Sequence, residues 1–205
     1  MDDRSQCLPM DKTGILILAA GSSSRLGRPK QLLPFKSRSL LSHVVTESLA
    51  ASLQPVVVVT GAYRAEVEDA LRGESVALAF NAGWETGMAS GIVAGLKEAL
   101  VIEPLLKGVI VAVCDQPYVS AGLFRSLMLT YREKGKGLVA CSYSGTMGTP
   151  VLFERKYFGE LAALSGEAGA KKVLNRYPDD IAIVPFPEGG IDIDTEKDYD
   201  TLEKA

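Results

Sequence analysis

Short apolar runs punctuate this chain at residues 14–19, 55–60, 75–80, 108–113, 137–141 and 181–184, each of strand length and built mostly from Val, Ile, Leu and Ala. Strands that lack a polar face are buried on both sides, as in a parallel sheet. Between them, residues 39–52, 64–72, 88–100 and 121–134 carry apolar side chains three and four apart, the spacing of a helix with one buried stripe. This alternation predicts an α/β fold, doubly wound, with a mainly parallel sheet and helices on both faces. Beyond Cys141 the rhythm weakens, and Gly145, Gly148, Pro150, Gly166, Gly169, Pro185, Pro187, Gly189 and Gly190 predict a loop-rich final third. No repeat, low-complexity tract or linker divides the chain, so residues 1–205 read as one domain.

Composition narrows the class. With 205 residues, 47% of them hydrophobic, the chain can build one sizeable α/β core and is short for two. The 22 Lys and Arg against 25 Asp and Glu give a net charge of -3, so no overall positive field invites nucleic acid or an anionic membrane. A polyanionic ligand has to be held locally. The apolar runs fall far short of the ~20 residues that cross a bilayer, and the start Met1-Asp2-Asp3-Arg4 lacks the basic, then apolar, order of a secretory signal. A cytoplasmic location is expected. Cys7, Cys114 and Cys141 form no CxxC pair and are expected to be buried small hydrophobes.

Candidate chemistry sits at strand ends. The first strand runs into Ala19-Ala20-Gly21-Ser22-Ser23-Ser24-Arg25-Leu26-Gly27-Arg28-Pro29-Lys30, a small, hydroxyl-rich, cationic loop whose amides can approach an anion. A solvated turn with surface cations is the alternative. A Walker A loop is excluded, because five residues separate Gly21 from Gly27 and Arg28 follows. A nicotinamide site is disfavoured as well: GxGxxG is absent, and the second strand ends Val59-Thr60-Gly61 without an acid for a ribose hydroxyl. The fourth strand runs directly into Cys114-Asp115-Gln116-Pro117. Asp115 lies at the strand end where such sheets bind ligands, either as a hard oxygen ligand for Mg²⁺ or as a helix or turn cap. Near the C-terminus, Asp192-Ile193-Asp194-Thr195-Glu196-Lys197-Asp198 reads as an acidic turn in which Thr195 caps a short helix with Asp198 three residues on. Asn81 to Gly91, with a lone Trp84, reads as a packed loop or a ligand contact. The only histidine, His43, lies in a helical pattern and is assigned no catalysis.

Taken in order, these segments resemble the nucleotidyltransferase family that includes the molybdenum cofactor cytidylyltransferases, some of them accessory proteins of purine catabolism. Its LAAGxSxRxGxxK opening is similar to residues 18–30, its CDQP to residues 114–117, its NPxWxxGMxxS to residues 81–91 with Ala82 in place of Pro and Gly91 in place of Ser, and its DIDTPEDY to residues 192–199 with Glu196-Lys197 in place of Pro-Glu. GxPxLF resembles the strand at 148–153, and LxGDxGAR resembles 164–171 with Glu167 and Lys171 as departures. The resemblance implies a Rossmann-like fold, with nucleotide binding in the N-terminal two thirds and acceptor binding in the C-terminal third. It assigns Arg25 and Lys30 to the triphosphate, Asp115 and Asp194 to catalytic Mg²⁺, and Leu18, Ala19, Ala20, Gly21, Ser22, Asn81, Gly87 and Ser90 to the nucleotide. Gln116, Thr149 and Gly166 fall to the acceptor. The implied reaction moves a cytidylyl group from CTP to molybdopterin, with pyrophosphate released, for a molybdenum hydroxylase such as xanthine dehydrogenase. Ala19-Ala20 favours CTP over GTP by resemblance alone. A sugar or alditol phosphate acceptor, and a non-catalytic cofactor carrier, are the competing expectations.

Overall fold

The computed structural model describes residues 12–193 and 195–202. In chain order the elements are β1 (Thr13–Leu18), a two-residue-per-strand hairpin of β2 (Pro34–Phe35) and β3 (Arg38–Ser39), α1 (Leu40–Ala50), β4 (Val56–Thr60), α2 (Arg64–Ala70), β5 (Ala77–Phe80), α3 (Met88–Ile102) and β6 (Gly108–Val113). There follow α4 (Ala121–Lys134), β7 (Leu138–Tyr143), β8 (Thr146–Glu154), α5 (Phe158–Ala162), α6 (Ala170–Arg176), β9 (Ile181–Pro185) and α7 (Glu196–Leu202). Seven strands form one sheet in the order β5-β4-β1-β6-β8-β7-β9. Only β8 runs against its neighbours; the β1–β4, β1–β6, β4–β5 and β7–β9 pairs are parallel. The chain is thus a single α/β domain with the mainly parallel, doubly wound sheet that the alternating runs predict.

Burial on both sheet faces explains why the central runs contain no polar break. Ile15 and Ile17 face Leu41, Val45, Val67, Phe124 and Leu127 of α1, α2 and α4, whereas Leu16, Val57 and Val59 face Ile92, Leu96, Leu161 and Val173 of α3, α5 and α6. At 0–3% exposure these side chains each contribute about 1.5–3 kcal/mol of transfer free energy. Helix α3 approaches the sheet closely because Gly95 lies over Val59, where an added Cβ would stand 2.8 Å from a Val59 methyl. Local signals set the helix ends. Ser39 Oγ accepts the Ser42 amide at 3.1 Å to start α1, Ser120 Oγ accepts that of Leu123 at 3.1 Å to start α4, and Gly135 (φ +62°) closes α4.

The final third departs from the loop-rich expectation. Nine residues form β8 between β6 and β7, and α5 and α6 cover its face of the sheet. Gly148 and Pro150 obscured this strand in the residue pattern, yet the β7–β8 pairing steps from Ala140–Val151 to Cys141–Gly148 and so passes over Thr149 and Pro150. A bulge tolerates the missing proline donor. The 75–80 run is also trimmed, since pairing with β4 begins at Ala77. A third apolar cluster, Leu26, Leu33, Phe35, Leu40, Ile193 and Tyr199, ties the loop after β1 to the hairpin and α7. The Thr195–Asp198 capping arrangement is present, with the Thr195 amide and hydroxyl at 2.8 and 2.7 Å from Asp198 Oδ2. Among the described residues no helix is long and apolar enough to cross a membrane.

Candidate active site

Parallel sheets open a crevice beyond their carboxyl ends, and here the loops after β1, β5 and β6 border a cleft of about 430 Å³. Its walls include Leu18, Ala19, Ala20, Gly21, Ser22, Arg25 and Lys30 from the first loop, Asn81, Trp84, Glu85 and Gly87 from the second, and Asp115 from the third. Glu167, preceding α6, reaches the rim.

The first loop is held through its carbonyls. Gln31, fully buried, donates from Nε2 to the carbonyls of Ala19 (2.9 Å) and Gly21 (2.8 Å), while the Ala62 amide donates to Ala20 O and the Tyr63 hydroxyl to Ser22 O. The Lys30 amide donates to Ser23 Oγ at 3.1 Å, closing the loop on itself. Arg28 turns away and forms a two-pronged ion pair with Glu196 of α7, at 2.9 and 2.8 Å. Arg25 is exposed at the cleft wall. Gln31 directly follows the motif at residues 18–30 and has no role in the sequence reading; a glutamine between Lys30 and the apolar Leu32-Leu33 was the available signal.

Lys30 and Asp115 meet across the cleft as an ion pair, with side chains 19% and 14% exposed. Asp115 Oδ2 takes that contact, whereas Oδ1 is buried and has no hydrogen-bond partner among the described residues. Burial of a carboxylate oxygen without a donor is unfavourable unless a cation or proton donor joins it. Asp194 lies outside the described residues. The chain just before it is placed by the Ile193 amide, which donates to the Asp115 carbonyl at 3.2 Å. Cys114 behaves as packing: burial first, then the neighbouring Asp115 charge, pushes its thiol up to about 12, and burial does the same for Cys141. Cys7 lies outside the described residues.

Several other predicted positions act at one remove. Ser90 does not line the cleft; its hydroxyl accepts from Asn81 Nδ2 at 2.8 Å and lies 2.8 and 3.0 Å from the carbonyls of Gly87 and Gly83. Together with the Gly83 amide on Asn81 Oδ1 at 3.1 Å, this shapes the turn before α3. Gly87 (φ +107°) packs so closely that a Cβ would stand 2.4 Å from Gly166 O, which also accepts the Ala89 amide at 3.2 Å. Gly166 is thereby engaged with α3. Gln116, 3% exposed, donates to Gly189 O (2.8 Å) and Thr149 O (3.1 Å), joining the end of β6 to β8 and the turn before Ile193; neither it nor Thr149 lines the cleft. His43, in α1, stands edge-on to Phe35 at 5.0 Å with its pKa lowered by burial, away from the cleft.

A doubly wound sheet with a cationic small-residue loop facing a strand-end aspartate defines the nucleotide-handling transferase class. The chain belongs to the MobA-like NTP transferase domain family, whose model matches residues 15–181, and it is a nucleotidyltransferase of that type. It is 30% identical to nicotine blue oxidoreductase of Paenarthrobacter nicotinovorans, over 94% of this chain and 93% of the relative. It is 26% identical to purine catabolism protein PucB of Bacillus subtilis, over 93% and 95%. The crystal structure of Rv0371C in complex with manganese, from Mycobacterium tuberculosis, superposes with a TM-score of 0.76 at 25% identity, covering 95% of this chain and 99% of that one.

Proposed function

We propose that the protein transfers a cytidylyl group from CTP to molybdopterin, giving the cytosine dinucleotide and pyrophosphate, with a molybdenum hydroxylase such as xanthine dehydrogenase as recipient. The observation that carries this reading is the juxtaposition of Lys30 and the half-satisfied Asp115 beside a loop whose Ala19, Ala20, Gly21 and Ser22 carbonyls are each taken by a donor of the protein. The small loop and Arg25 border the triphosphate, Asn81 and Gly87 border the nucleoside, and Gln116, Thr149 and Gly166 act toward the acceptor side by shaping it.

A phosphate monoester is largely ionised near neutral pH, so attack on the α-phosphorus needs no strong base. One P–O bond forms to the acceptor oxygen as the α–β P–O bond breaks, and the electron pair leaves with pyrophosphate. Arg25 and Lys30 neutralise that departing charge, and alignment of the two phosphates supplies much of the rate. The partnerless Oδ1 of Asp115 fits a hard divalent cation such as Mg²⁺, and Asp194 is proposed as the second ligand. When bound, the cation supplies charge neutralisation at the triphosphate oxygens. The manganese in the Rv0371C structure supports a divalent metal, and the purine catabolism relative supports the hydroxylase link. Ala19-Ala20 supports CTP by resemblance.

The test is pyrophosphate release by purified protein with Mg²⁺, molybdopterin and each of the four nucleoside triphosphates, with sugar and alditol phosphates as rival acceptors. Release with CTP and molybdopterin is expected; release with GTP alone overturns the base assignment. Because one relative is named an oxidoreductase, a parallel arm follows NADH and NADPH oxidation, where no turnover is expected.

A further inference from the structure

A trans peptide unit ties each carbonyl to the next amide in opposite directions, so anchoring a C=O on one side of a loop aims the following N–H at the other. Ala19 O and Gly21 O both point at the buried Nε2 of Gln31, and Ala20 O is taken by the Ala62 amide. The amides of Ala20, Gly21 and Ser22 therefore turn away from those anchors, and no described residue accepts from them. All three residues line the cleft. Gln31 is 0% exposed and, like Lys30, borders the cleft, but the two side chains do different things: Lys30 pairs with Asp115, whereas the Gln31 amide is spent on the two loop carbonyls.

On the reading that this cleft takes a nucleoside triphosphate, we propose that Gln31 is a positioning residue. By holding two carbonyls down with one amide group, it presents the Ala20 and Ser22 N–H groups to the phosphates and keeps carbonyl oxygens from facing the anion. A hydrophobe of the same length fills the space but leaves the two peptides able to flip. A glutamate sets a carboxylate against two carbonyl oxygens until it is protonated.

Inorganic pyrophosphate and CTP are titrated into the wild type, Gln31→Met and Gln31→Glu, with binding followed by calorimetry and the melting temperature recorded on the same samples. Gln31→Met should bind both at least ten-fold more weakly and raise the KM for CTP with little change in the KM for the acceptor. Gln31→Glu should regain affinity as the pH is lowered, because only the protonated acid donates to a carbonyl. In ¹⁵N-labelled wild type, the amides of Ala20 and Ser22 should show the largest shifts on adding pyrophosphate, a readout that stands even if neither variant folds. A folded Gln31→Met with affinity within two-fold of wild type, or pyrophosphate shifts that leave Ala20 and Ser22 unmoved, overturns the inference while the functional reading stands. If the wild type binds neither pyrophosphate nor any nucleoside triphosphate, the functional reading falls and this inference with it.

Discussion

Two lysine–aspartate pairs occupy opposite ends of the sheet, and their surroundings differ more than their chemistry. At the carboxyl ends of β1 and β6, Lys30 meets Asp115, whose other oxygen is buried with no partner. At the amino ends of β7 and β9, Asp180 accepts from Lys156 (2.8 Å), the Tyr157 hydroxyl (2.5 Å) and the Gly137 amide (3.1 Å). Burial alone would raise the Asp180 pKa; those three donors, Lys156 foremost, outweigh it and hold the carboxyl at about 2. A saturated pair serves the fold. An undersupplied one keeps coordination capacity for something that is not protein, which is why the first pair is read as a site and the second as a clasp between β7, β9 and the segment after β8.

The largest expected break in this comparison comes from exchanging the two aspartates' fates. If Asp115 holds the metal as proposed, Asp115→Ala should lose at least about 1000-fold in pyrophosphate release, since such a ligand supports several kcal/mol of transition-state charge stabilisation, with little change in melting temperature. Asp180→Ala should do the reverse: turnover within about two-fold of wild type, and a loss of roughly 1–3 kcal/mol in urea unfolding as three donors lose their acceptor. Equal loss of turnover in both would erase the distinction.

Next in size, Lys30→Gln and Arg25→Gln should each weaken CTP binding by about 10- to 100-fold, one charge-assisted contact of ~1.5–3 kcal/mol, as read by calorimetry. The Lys30 variant carries a sharper expectation. Because Lys30 competes with any cation for Asp115, its removal should tighten Mn²⁺ binding to the nucleotide-free protein, measured by electron paramagnetic resonance, even as CTP binding weakens. Weaker Mn²⁺ binding would mean that the two groups do not compete.

The smallest effect is the acid dependence of the clasp. The Asp180 carboxyl is depressed in the fold, so its contribution to stability is present above the ordinary carboxylate range and disappears as the pH falls toward about 2. Urea unfolding of wild type should lose stability over that window, and Asp180→Asn should flatten this part of the profile.

What the sequence determined by itself was local. Uninterrupted apolar runs require burial on both faces, which makes a parallel sheet the economical solution, and Ser39, Ser120, Gly135 and the Thr195–Asp198 box set element ends through groups a few residues apart. The strand-end position of Asp115 and the place of Lys30 in the loop after β1 were legible for the same reason. Strand β8 was legible only by resemblance, over 148–153, and not from its own residue pattern, because a bulge that passes over Thr149 and Pro150 exists only against β7. Ser90, Gln116 and Gly166 could be chosen from motifs, but their hydrogen bonds to Asn81, Gly189 and Ala89 give them shaping roles that no spacing encodes. The Gln31 hydrogen bonds to the Ala19 and Gly21 carbonyls, and the contrast between Asp115, whose Oδ1 has no partner among the described residues, and a saturated Asp180, were decided by tertiary structure alone. Satisfaction of a buried polar atom depends on every chain segment that packs around it, and those segments are far apart in the sequence.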